Sequence, residues 1–150
     1  MNSKYNFLKP YVGYNNLKGT YFLPIKPAQI SKAEEKIGTN FPNQLKDFYI
    51  EIGEGILSCG EKYPEMYINT GGNLILPPLV AAAFYKPLEG DNRPEDEYVP
   101  IDSGDGEHYM AAMTYEILQP GDLPFFEIGD STRFLVMKPY SENPNAVWQA

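Results

Sequence analysis

The chain has 150 residues, a hydrophobic fraction of 43% and an aromatic fraction of 14%. That length suits one domain, expected to span residues 1 to 150, and that apolar content excludes disorder, because burial offsets the entropy of ordering the chain. The formal net charge of -8 conceals an uneven distribution: residues 1 to 46 hold seven lysines against Glu34 and Glu35, whereas eight acids stand against Arg93 alone between Glu89 and Glu107. Nucleic acid is a poor ligand for such a surface, since binding phosphate requires clustered cations, and a basic protein partner is the natural complement.

The amino-terminal stretch "YNFLKPYVGYNNLKGTYFLP" is rich in tyrosine and punctuated by glycine, proline and asparagine, with neither helical nor strand period. Loop, a short strand or a brief helix is expected there, with Tyr5, Tyr11, Tyr14 and Tyr21 forming either core and a covering for the sheet or a sticky edge. In "KPAQISKAEEKIG" the signals sharpen: Pro27 suits a first helical position, Ile30, Ala33 and Ile37 recur at helical spacing, and Gly38 fits the position past the end. Pro42 opens a second helix in which Leu45, Phe48, Tyr49 and Ile52 form one apolar stripe, closed by Gly53 and Gly55. If fully buried, Phe48 carries about 3 to 5 kcal/mol against truncation to Ala.

Beyond Ile56, "MYI" and "LIL" read as strands, the second stopped by Pro77 and Pro78. Three alanines in "PLVAAAFY" favour a buried helix after Pro78. The acidic run reads as loop, with "YMAAMTYEI" open between strand and helix. Three apolar runs in the last third, joined by "GDST" and "PYSENPN", read as an antiparallel meander. Helices first and strands afterwards point to an α+β domain.

No segment carries the signature of a catalytic or metal site. Cys59 and His108 lack the flanking pattern of a nucleophile and its base, and one cysteine excludes an internal disulfide. His108 with Asp102, Asp105 and Glu107 misses the twelve-residue calcium loop, since Gly106 would require Asp at 101 and Glu at 112, where Ile101 and Ala112 stand. "GEG" and "SGDGEHY" lack the lysine and hydroxyl residue of a phosphate-cradling loop, and G-x-S-x-G does not occur. The expected cofactor and metal content is none. No signal-peptide core occupies the first thirty residues, and the longest apolar stretch, Leu74 to Tyr85, is too short for a membrane helix and broken by proline, so a cytoplasmic location without membrane association is expected.

The pattern I-x-x-A-E-x-x-I-G-x-x-F-P-x-x-L-K-x-F-Y-x-x-x-G-x-G from Ile30 to Gly55 resembles the SMI1/KNR4, or SUKH, superfamily, and "PFFEIGDSTRFLVM", with Gly129 and Asp130 at its turn, is similar to that family's second signature. The resemblance implies a mainly antiparallel, curved sheet with helices packed on one face. It also implies a binding protein with no catalytic residues. Bacterial members are similar to immunity proteins that neutralise polymorphic toxins, and fungal relatives act in regulating cell-wall synthesis. The first expectation is therefore a non-enzymatic immunity protein for a cognate toxin with a basic surface; the alternative is a regulatory adaptor or small-ligand module. The expected partner surface is Asp91, Glu95, Asp96, Glu97, Tyr98, Asp102, Asp105, Glu107 and Tyr109, in which tyrosines supply contact area at small entropic cost among the steering carboxylates.

Overall fold

A computed structural model describes residues 3–13, 20–57, 73–88, 118–128 and 133–150. A short 3-10 helix, Asn6–Tyr11, precedes strand β1, Tyr21–Leu23, so the aromatic amino-terminal stretch holds both a brief helix and a short strand. Helices α1, Pro27–Ile37, and α2, Asn43–Glu51, follow, and then strands β2, Glu54–Leu57, and β3, Asn73–Ile75. Helix α3, Pro78–Phe84, leads through residues outside the described set to β4, Leu123–Ile128, β5, Arg133–Met137, and β6, Trp148–Gln149.

Helix α1 begins and ends where its sequence dictates. Pro27 occupies the first turn, the Gln29 side chain accepts from the Lys26 N–H at 3.2 Å, and Gly38 closes the helix at φ 78° with its N–H donating to the Glu34 carbonyl. A left-handed residue at that position satisfies a terminal carbonyl at no side-chain cost only when it is glycine. Ile30, Ala33 and Ile37 are buried on one side. Glu34, one turn beyond Ile30, accepts from the Phe41 N–H at 2.7 Å and lies 3.4 Å from the Lys46 ammonium. One carboxylate thus ties α1 both to the inter-helix turn and to α2.

In α2, Leu45 and Tyr49 are buried, as is Ile52 just past the helix end. The Tyr49 hydroxyl donates to the Leu76 carbonyl at 2.6 Å, and burial pushes that hydroxyl's pKa well above the usual phenol range. Phe48 lies at the margin of the expected stripe: it is only partly buried, meeting Tyr5 and Phe22 edge-on at ring-centroid distances of 5.3 and 6.1 Å. Tyr5 and Tyr11 cover the core from the amino-terminal side.

The six strands form one open sheet in the order β1-β2-β3-β4-β5-β6, every neighbour antiparallel. Helices against an antiparallel sheet make the fold α+β, and its last three strands are the meander expected from the sequence. The expected strand at "LIL" is β3 and the expected helix after Pro78 is α3; the "MYI" and "YMAAMTYEI" segments and the "GDST" turn lie outside the described residues. Strand β2 starts at Glu54, between the two glycines read as closing α2. Those glycines are demanded by β1: a Cβ on Gly53, itself at φ 110°, would lie 1.8 Å from the Leu23 carbonyl oxygen, and one on Gly55 would lie 2.0 Å from that of Tyr21.

Helix α3 packs on α1 and on β4, with Phe84 against Phe134 of β5 at 6.3 Å. Its far end is strapped to the sheet through the turn before β4. Gly121, at φ 91°, donates its N–H to the Lys86 carbonyl, and the Lys86 N–H donates to that of Asp122. The Asp122 carboxylate, only 3% exposed, accepts from the Gln119 N–H at 2.8 Å and from the Lys138 ammonium at 2.6 Å. A buried carboxylate is tolerable only with such partners.

Candidate functional site

The nine residues expected to meet a partner, Asp91, Glu95, Asp96, Glu97, Tyr98, Asp102, Asp105, Glu107 and Tyr109, lie outside the described residues, as do Cys59 and His108. Among the described residues no three His, Cys, Asp or Glu side chains are grouped to hold a metal ion, and no helix is long and apolar enough to cross a membrane. The charged side chains among the described residues nearly balance. Lys4, Lys9, Lys26, Lys32, Lys36, Lys46, Lys86, Arg133 and Lys138 stand against Glu34, Glu35, Asp47, Glu51, Glu54, Asp122, Glu127 and Glu142.

A shallow depression at the end of α1, bordered by Ser31, Glu35 and Asn40, includes Glu34. That carboxylate is already engaged with Phe41 and Lys46, which leaves a solvated acidic rim and no converging chemistry.

The more developed concavity lies between α2 and the sheet. Its volume is about 170 Å³, and Leu45, Ile75 and Met137 are its buried residues. Phe48 and Phe125, both partly buried, also line it. Tyr5, Gln44 and Val147 complete the lining, Gln44 and Val147 being exposed. These residues come from the 3-10 helix region, α2, three strands and the carboxy-terminal segment, and short polar links fix their spacing. The Tyr5 hydroxyl donates to the Gln44 carbonyl at 3.3 Å, and the Gln44 N–H donates to Asn145 Oδ1 at 3.1 Å.

Phe125 reaches this cleft through an irregularity in β4. Pro124 pairs with Val136 and Phe126 with Leu135, so Phe125 is an extra residue opposite a single step of β5. Such a bulge re-aims a side chain that strict alternation would place differently. The Leu76 N–H donates to the Phe125 carbonyl at 2.9 Å and holds it in place. The cleft was not legible in the sequence. Adjacent phenylalanines in "PFFEI" were its one local trace, and nothing in that string marks which of them is inserted.

An open antiparallel sheet backed by helices, with an apolar cleft between α2 and the strands, defines an α+β domain. The match to a family description is specific: the chain belongs to the SMI1 / KNR4 family (SUKH-1), whose family model matches residues 24–148. No curated protein and no solved structure matches the chain.

Proposed function

We propose that this protein is a non-enzymatic binding domain, an immunity protein that occludes a cognate toxin bearing a basic surface. The observation that carries this reading is the run of eight acids against one arginine between Glu89 and Glu107, in a chain of the SMI1 / KNR4 family. Neutralisation of this kind needs no bond-making group. It needs a complementary interface, on the order of 1,600 Å² in total, and carboxylates that steer a cationic partner into register.

Co-expression with a toxin encoded beside it tests the reading, with restored growth as the expected result. Reversing Glu95, Asp96 and Glu97 to lysine is expected to slow association about tenfold or more at low salt and to flatten its salt dependence. Toxicity unaffected by the wild-type chain would overturn the immunity role. Rescue with unchanged association rates in the charge-reversed variant would remove these three acids from the interface.

A further inference from the structure

We propose that the cleft between α2 and strands β3, β4 and β5 is a binding site for one aromatic ring bearing a hydrogen-bonding substituent, of the phenol or indole class. The proposal does not depend on the toxin-binding reading.

Size sets the first bound. A dry protein cavity of about 150 Å³ lined by aliphatic and aromatic side chains admits benzene. The present volume of about 170 Å³ therefore holds a single ring with a few further atoms. Nucleotides and sugar phosphates are too large, and the lining offers no charged residue to receive them.

The chemistry of the walls sets the second. Leu45, Ile75 and Met137 give an apolar interior, and the methionine thioether is a favourable partner for a ring edge. Phe48 and Phe125 offer edge and face contacts of the kind Phe48 already makes with Tyr5 and Phe22. Polarity enters from the Tyr5 and Gln44 side. The Gln44 backbone N–H and carbonyl are already engaged, whereas its side-chain amide has no partner among the described residues and presents both an acceptor and donors. A ring with one polar end fits this division, apolar edge inward and substituent toward Gln44.

The third argument is construction. The bulge places Phe125 on the cleft, and hydrogen bonds spanning 39 and 101 residues of sequence fix the Tyr5, Gln44 and Asn145 positions around it. Incidental gaps in a core lose dispersion contacts and tend to collapse. This one is framed by separate elements tied through the Tyr5 hydroxyl, the Gln44 backbone and Asn145, which holds its walls in place before any ligand arrives.

Methyl and aromatic NMR spectra of the full chain, titrated with 4-methylphenol, toluene and indole, test the proposal. Saturable shifts confined to Leu45, Ile75, Met137, Val147 and the flanking rings are expected. Val147→Trp, at an exposed position, is expected to close the opening and weaken all three probes about tenfold or more while leaving the melting temperature unchanged. Gln44→Ala is expected to weaken 4-methylphenol several-fold, up to about tenfold, and to leave toluene unaltered, because only the former has a hydroxyl to lose. The occupant is a free small molecule of that class, and a fourth probe, N-acetyl-tryptophanamide, tests this: binding weaker than indole is expected, and tighter binding, as for a side chain of a docked segment, would overturn it. Absence of saturable shifts in the wild type, shifts dispersed over the surface, or undiminished binding in a folded Val147→Trp variant would overturn the assignment.

Discussion

Gly38 and Gly55 belong to the same sequence signature and are there for opposite reasons. Around Gly38 a Cβ would meet nothing within 4 Å, but the residue sits at φ 78°, so a substitution meets backbone strain alone. Gly55 needs no left-handed conformation; its missing side chain admits the backbone of β1, where a Cβ would approach the Tyr21 oxygen to 2.0 Å and the Phe22 Cα to 2.8 Å. Backbone cannot rotate aside as a flexible side chain would. Gly38→Ala is therefore expected to cost about 1 to 2 kcal/mol, the penalty of one left-handed residue. Gly55→Ala is expected to cost about 3 kcal/mol, at the upper end of overpacking, with loss of the β1–β2 register. Urea denaturation of the two variants measures the order directly, and a larger loss at Gly38 would contradict the close approach of β1. The glycine turn of the signature thus encodes strand packing as much as helix termination.

At the scale of elements, α2 shows what periodicity conveys and where it stops. Leu45, Phe48, Tyr49 and Ile52 share an arc about 100° wide, with Phe48 and Tyr49 at its opposite margins. Periodicity places the arc but cannot tell which margin faces the densest packing. The structure buries Tyr49 completely, with its hydroxyl on the Leu76 carbonyl, and leaves Phe48 beside the cleft. Phe48→Ala is accordingly expected to cost about 2 kcal/mol, below the range for a fully buried ring, because part of its surface is already in water. Tyr49→Phe, a smaller change, is expected to cost about 1 to 3 kcal/mol through the Leu76 carbonyl deprived of its donor. Comparable losses from a one-oxygen deletion and a whole-ring deletion are the distinctive outcome, and thermal melts of both variants check it. Most elements were legible for similar local reasons: Pro27 and Gly38 bound α1, the alanines after Pro78 mark α3, and three apolar runs mark the closing meander. The 3-10 helix and β1 carried no period, because their aromatics pack individually against neighbours distant in sequence. The bulge at Phe125 was silent for a related reason, since an insertion is defined by its partner strand.

For the molecule as a whole, charge is unevenly spread along the chain. The net charge is -8, and eight acids stand against Arg93 alone between Glu89 and Glu107. Like charges at this density oppose compaction, and the opposition fades as the Debye length shrinks from about 30 Å at 0.01 M salt to about 8 Å at 0.15 M. Salt also weakens attractive pairs, but the framework's Asp122–Lys138 contact joins a buried carboxylate to a partly covered ammonium, and Glu34–Lys46 is likewise sheltered, so both resist screening. In a chain of net charge -8 the summed repulsion is taken as the larger salt-sensitive contribution. The melting temperature of the free chain is expected to rise by a few degrees across that range, corresponding to about 1 kcal/mol for a chain of this length. Differential scanning fluorimetry in sodium chloride measures it, and a fall would mean that ion pairs outweigh repulsion. Association with a cationic partner, under the proposed function, has the opposite sign, because the carboxylates that repel one another in the free chain attract the partner. A stability that rises with salt while the association rate falls identifies one set of charges acting in both, whereas two trends of the same sign would assign stability and recognition to different groups.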